Sequence, residues 1–380
     1  MIWPFCPLDN MLEGMEWRVN VLRAFSAEQR IRLRDTPVRT FSHQYAWTPR
    51  QYEKARAFFR DGHPGLFDVP DWGLAHRVTV AQGSTSIAFD NRYPTLDIGD
   101  SVAIIQSCEQ YQELTISGSN AGGITLSFPV TEDYENAALV LLVESHASEG
   151  IGVSRSVQPI RPAQLEWVTH DTTDYADDGD FQQHRGLPVL AQAACVGESA
   201  VSETLSKPFD SVDNGIATPY RDTLQEQFVQ RLGAAWQPSE RSEAYALRQW
   251  LYWLKGSQRA FWLPDFNSGL ELVGNVTSGS ASITIRYIGF AGGYVTGDLF
   301  LRTTSGTVYT LQVTDSEADT DGEFETLTLS APAGATVGTE QVDQFCLMFC
   351  VTIAGNRVEW VHRNVVGPKV VTDCAEVPVP

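Results

Sequence analysis

The sequence predicts a mainly β fold, built as two tandem, diverged β-sandwich or barrel modules, each braced by one amphipathic α-helix. Ten Trp, eighteen Phe and twelve Tyr, set among many Thr, Ser and Val, favour strands over helices. Apolar and polar residues alternate at a period of two in several stretches, the pattern of half-buried strands. A set of landmarks also recurs in the same order in two parts of the 380-residue chain, which marks an internal repeat.

Near the N-terminus Met15, Trp17, Val19 and Val21 alternate with Glu16, Arg18 and Asn20, and Ile31 and Leu33 alternate with Arg30, Arg32 and Arg34. The first copy continues with Arg34-Asp35-Thr36, Ala46-Trp47-Thr48-Pro49, a helical stretch ending at Gly62, and Val69-Pro70-Asp71-Trp72. Thr48 suits an N-cap, Pro49 the first helical position and Gly62 the stop. The second copy reads Arg221-Asp222-Thr223, Ala235-Trp236-Gln237-Pro238, a helical stretch ending at Gly256, and Leu263-Pro264-Asp265-Phe266. Leu247, Trp250, Leu251 and Leu254 give its helix an apolar stripe that needs a sheet to lie on.

Further pairs are Gly99-Asp100 with Gly297-Asp298, Leu126-Ser127-Phe128-Pro129 with Leu329-Ser330-Ala331-Pro332, and closing segments Leu165-Glu166-Trp167-Val168 and Val358-Glu359-Trp360-Val361. Late in the chain, residues 307–313 and 324–330 read as strands around the turn-rich stretch 314–323. The expected organisation is a first module over 1–171 with its helix near 49–61, and a polar connector over 172–201. A second module over 202–371 with its helix near 238–255 and a tail over 372–380 follow.

The net charge of −20 repels phosphate, so counterion-release binding to nucleic acid is not expected. Against that background six arginines, Arg18, Arg23, Arg30, Arg32, Arg34 and Arg39, form a local basic stripe. One reading is a solvated strand face; the other is a subunit interface with an acidic neighbour. The apolar run 137–143, as long as any in the chain, is too short to span a bilayer, and the first residues lack the pattern of a secretory signal. A cytoplasmic origin and reduced thiols are therefore expected for the six Cys.

No chemistry-bearing motif emerges. Gly118-Ser119-Asn120-Ala121-Gly122 has its serine one place early for a nucleophile elbow, and the glycine-rich stretch 289–297 lacks the Lys-Ser/Thr ending of a phosphate loop. Cys346 and Cys350 read as one strand, which puts their α-carbons about 13 Å apart, too far to share a zinc ion. The acidic stretches 174–180 and 315–323 do not follow helix-loop-helix calcium spacing and read as solvated loops. Glu166 and Glu359, in matching Glu-Trp contexts, read as architectural. No catalytic, cofactor-binding or metal residue is nominated, no cofactor is expected, and the chain is read as non-enzymatic.

Residues 16–25, the arginine-rich segment 30–34 and the aromatic-Leu-Pro-Asp-aromatic segment 262–266 give the chain a resemblance to tail-tip proteins of long-tailed bacteriophages. The likeness is closest to the distal-tail and baseplate-ring structural proteins that cap the tail tube. It implies β-sandwich or barrel modules in a ring of identical chains, trimer or hexamer, contacting the tube protein above and hub or fibre proteins below. It also implies a place in the virion tail tip after assembly in the host cytoplasm, with no sequence-specific nucleic acid partner and no stable membrane insertion. Two modules per chain would let three chains make a pseudo-sixfold ring, and an acidic channel would let DNA slide past. Some relatives carry an iron-sulfur cluster on four cysteines; this chain has only three, Cys346, Cys350 and Cys374, in its last 35 residues. The alternatives are a carbohydrate- or receptor-binding tail protein and an envelope-degrading hydrolase.

Overall fold

The computed structural model describes the chain apart from residues 9–10, 25–26, 154–159, 171, 177–180, 195–201, 207–208, 213–219, 224–228, 295, 364–366 and 380, and apart from the side chains of 23–24, 27–28, 209–212, 220–223 and 229. The described fold is mainly β, with two 14-residue helices, α1 (Pro49–Gly62) and α2 (Arg241–Leu254), and one short helix, α3 (Phe290–Gly293). The chain forms two compact units. One comprises Met1–Asp178, Gln237–Gln258 and Asn356–Val371; the other comprises Gly179–Trp236, Arg259–Gly355 and Thr372–Pro380. These limits differ from the boundaries expected at 171, 201 and 371, because α2 and the strand Arg357–His362 group with the first unit.

In the first unit β1 (Met11–Glu16), the hairpin β2 (Val19–Ala24) and β3 (Ala27–Arg32), and β4 (Val38–Trp47) precede α1; β5 (Phe67–Pro70) follows it. Strand β1 pairs with β4 and with Arg357–His362, and β4 pairs in turn with Arg161–Thr169. Along β4 the inward parity is Arg39, Phe41, His43, Tyr45 and Trp47, as period-two alternation requires. Those rings join Trp3, Phe67 and Trp167 in an aromatic core that Ala55 of α1 closes. Burying a large apolar side chain of this kind contributes about 1.5–3 kcal/mol.

The strand Tyr134–Ala147 serves two sheets. Its first half pairs with His76–Val80 and Ser101–Ile105, its second with β5 and residues 167–169. Residues 137–143, an uninterrupted apolar run, are buried at every position but Leu141, which is half-buried. A strand covered on both faces has no use for alternation, so the run is a core strand.

Helix α1 starts as its sequence indicates. Thr48 Oγ1 accepts from the Gln51 amide at 3.3 Å, and Gln51 Oε1 accepts from the Thr48 amide at 2.9 Å. Its last residue is glycine for reasons of space, since a Cβ on Gly62 would stand 2.5 Å from the Phe67 ring. Helix α2 begins at Arg241, three residues after Pro238; Glu243 Oε2 accepts from the Ser239 amide at 2.9 Å. It ends with Lys255 and Gly256 at positive φ (52° and 68°). There a Cβ on Gly256 would meet Trp17 at 2.9 Å.

In the second unit Val342–Ile353 plays a comparable part, pairing with Phe261–Pro264, Gly297–Thr303 and residues 374–376. From Ser101–Ile105 the first unit continues to Tyr111–Asn120, then Gly123–Leu126, then Ser86–Ala88. From Gly297–Thr303 the second continues to Val308–Ala318, then Phe324–Leu329, then Ser282–Arg286. The order of pairing is the same. The two Glu-Trp segments, however, do not occupy matching strands. Trp167 lies in the strand that pairs with 145–147, whereas the strand pairing with 351–353 is Lys369–Glu376, not the one that carries Trp360. Both tryptophans are buried simply because each sits at inward parity. The strand Val308–Ala318 also runs five residues beyond Val313, through a register shift between Val313 and Asp315, so Asp315 and Glu317 belong to a strand and the turn is confined to 319–323.

Candidate functional site

The six arginines of the basic stripe have different fates. Arg18, Arg32 and Arg34 are exposed, and Arg32 makes a solvent-facing ion pair with Asp35 at 3.1 Å. Arg30 is half-buried and donates to the carbonyl of Ser257, tying the hairpin to the turn after α2. The side chain of Arg23 lies outside the described residues. Arg39 leaves the surface set altogether: at 1% exposure it belongs to a buried charge cluster, where carboxylates make its burial tolerable.

The β2–β3 hairpin is a two-stranded sheet of its own, paired from Val19 with Arg32 to Ala24 with Ala27. The pairing continues at the base, where the Leu33 amide donates to the Arg18 carbonyl at 2.7 Å. One face therefore carries Arg18, Leu22, Ile31 and Leu33. Leu22, Ile31 and Leu33 are 55%, 40% and 49% exposed. A ribbon of two strands is marginal by itself; this one shows three aliphatic side chains beside Arg18 on one face, and on the other Arg30 and Arg32 with the exposed Val21.

The buried cluster gathers five segments of the first unit. Glu13, fully buried on β1, accepts from Arg39 Nε at 2.8 Å, from Arg248 Nη1 and Nη2 at 2.8 and 2.6 Å, and from His362 Nε2 at 2.8 Å. Arg39 also pairs with Asp71 of the Pro-Asp-aromatic turn. Two guanidinium groups face two carboxylates, so their formal charges balance. Burial alone would raise the Glu13 pKa, but Arg248 and Arg39 beside it hold the carboxyl well below the usual range. The Arg248 guanidinium lies 5.0 Å from the Trp360 ring centre, and Gly73 leaves room for His362, which a Cβ there would approach to 2.6 Å. Every strong donor and acceptor has a partner except Asp71 Oδ1. The cluster is a clasp; it offers no open position to a substrate.

Sequence reasoning missed Glu13, Asp71, Arg248 and His362 as a group. The signal was parity: Glu13 shares the inward face of β1 with Met11 and Met15, and Arg248 lies among the buried residues of α2.

The second unit holds a smaller constellation. His184 Nε2 lies 2.6 Å from Asp298 Oδ1, Arg185 bonds the other carboxylate oxygen at 3.0 Å, and Trp262 Nε1 donates to the His184 carbonyl. Burial pushes the Cys350 thiol up to about 11 and Cys374 up to about 12; the Cys346 thiol is raised further and contacts Asp265. Burial of this kind disfavours the thiolate that a nucleophile or a metal ligand needs. Among the described residues no three His, Cys, Asp or Glu side chains converge as a metal site. The acidic stretch 174–180 falls partly outside the described residues, at 177–180. A shallow dip in the second unit, lined by apolar side chains such as Val276, Leu301 and Val337, has no room for a ligand and brings no convergent polar groups with it.

No helix among the described residues is long and apolar enough to cross a membrane. No protein-family model matches the chain, and no curated protein matches it.

Proposed function

We propose that the chain is a structural component of a phage tail tip or baseplate, forming a ring at the distal end of the tail tube and linking it to hub or fibre proteins. The observation that carries this reading is the arginine-bearing ribbon on an acidic chain. Residues 18–34 hold five Arg and one Glu, +4, so the remainder of the chain, at −24, is the complementary charge. A second copy presents that acidic remainder to the arginines on the two faces of the ribbon, and the exposed Leu22, Ile31 and Leu33 beside Arg18 supply apolar area for the contact on one of them. The repeated order of strand pairing supports two related modules per chain. Such a chain fits a threefold ring that presents six similar positions. The clasp, which ties five segments of the first unit together, suits a part that must hold its shape under mechanical load.

Immunogold labelling of intact virions tests the assignment, with label expected at the tail tip; label on the head, or none on purified particles, removes it. Electron microscopy of the purified chain is expected to show closed rings of three or six copies. The triple variant Arg18→Glu, Arg32→Glu, Arg34→Glu is expected to leave folded monomers by circular dichroism while abolishing the rings. Rings that persist in that variant would take the ribbon out of the interface.

A further inference from the structure

We infer that His146 and His170 form a two-histidine binding site for a borderline transition-metal cation, Zn²⁺, Ni²⁺ or Cu²⁺, on the solvent face of the first unit. His146 Nδ1 and His170 Nε2 lie 2.8 Å apart, with ring centres at 5.0 Å and planes at 55°. The sheet fixes this geometry. In the strands Tyr134–Ala147 and Arg161–Thr169, Ser145 pairs with Thr169 and His146 with Val168. The His170 amide continues the ladder by donating to the Glu144 carbonyl at 2.8 Å. His146 and His170 are thus diagonal neighbours on one face, opposite the buried face that carries Ser145, Ala147, Trp167 and Thr169.

Imidazole nitrogens bind these ions at about 2.0–2.1 Å. Two of them at 90° to 109° about one ion stand roughly 2.9–3.4 Å apart, so the pair opens by a few tenths of an ångström and each ring turns by roughly 35–45° to aim its lone pair at the ion rather than at the other nitrogen. In the metal-free pair one of the facing nitrogens carries a hydrogen. That hydrogen moves to the other nitrogen of its ring on binding, which frees both facing lone pairs and leaves the imidazoles neutral. The surroundings favour a cation: Glu144 lies directly across from His170, and Glu166 is exposed on the same face as His146. Both rings are reachable, His146 half-buried and His170 exposed, so water completes the coordination. This assignment stands apart from the tail-tip reading and rests on the sheet register alone.

Isothermal titration of the untagged full-length chain with ZnCl₂, NiCl₂ and CuCl₂ tests it. One equivalent is expected to bind, tightest for Cu²⁺, with affinity falling on acidification because protons compete for the same lone pairs. His146→Ala and His170→Ala are each expected to weaken binding by about tenfold or more, while His63→Gln, at an exposed histidine elsewhere in the unit, leaves it unchanged. Both alanine variants change a solvent-face residue, and an unchanged melting curve without metal shows that folding is intact. Absence of binding by the parent chain would leave a hydrogen-bonded pair only and overturn the site. Equal binding by parent and either alanine variant would overturn it as well.

Discussion

At the scale of single residues, Glu13 matters most to the first unit. Its carboxylate answers two guanidinium groups and one imidazole with no water between them, so replacing it strands charge rather than merely deleting a contact. Glu13→Gln keeps the shape but leaves Arg39 and Arg248 one negative charge short. Removal of one partner of a buried pair costs about 3–5 kcal/mol, and chemical denaturation is expected to show a loss of that order. Glu13→Gln combined with Arg248→Met, which removes one charge of each sign, is expected to recover part of it. A double variant no better than the single would show that the clasp works through shape, not charge.

His43, on the same inward face of β4, makes a pH-dependent prediction. Burial, with His362 nearby, lowers its pKa from 6.5 to about 3. The unfolded chain therefore binds a proton between those values that the folded chain refuses. Stability is fully present above about pH 6.5 and falls as pH drops toward 3, by a few kcal/mol at most. His43→Phe, which gives up the hydrogen bond to Tyr45 Oη at 3.1 Å, is expected to flatten the slope of melting temperature against pH across that window. An unchanged slope would place the acid sensitivity elsewhere.

At the scale of elements, legibility followed the strength of local pattern. The start of α1 was readable because Thr48, Pro49 and Gln51 act within one turn. The start of α2 was less so, since its capping carboxylate, Glu243, sits deeper in the helix than Pro238 suggests. Strand parity along β4 and along 307–313 was plain, yet the extension to Ala318 was hidden by acidic residues that read as a turn and are in fact the exposed positions of a strand. The Glu-Trp ends looked equivalent because alternation places a tryptophan inward in any such strand; pairing partners, which no local pattern encodes, separate them. The clasp was illegible for the same reason. Its members lie up to 349 residues apart, and each alone looks like a charged residue on a face. The histidine pair is intermediate, with its members 24 positions apart in sequence and a register that only the folded sheet fixes.

At the scale of the whole molecule, charge sets the conditions for assembly. Two chains at −20 repel one another over long distances, while an arginine ribbon on an acidic face attracts only at contact. Salt separates these ranges, because the Debye length shrinks from about 30 Å at 10 mM to about 8 Å at 150 mM and about 3 Å at 1 M. Raising salt from 10 to 150 mM removes most of the repulsion and spares the contact, so self-association is expected to strengthen. Toward 1 M the ribbon's own pairing is screened and association is expected to weaken, leaving the contribution of Leu22, Ile31 and Leu33. Sedimentation velocity across this series reads the two regimes directly. In the Arg18, Arg32, Arg34 charge-reversal variant the maximum at intermediate salt should vanish. A parent chain whose association rises steadily to 1 M would instead be held by apolar contact alone, and the arginines would lose their role in joining the copies.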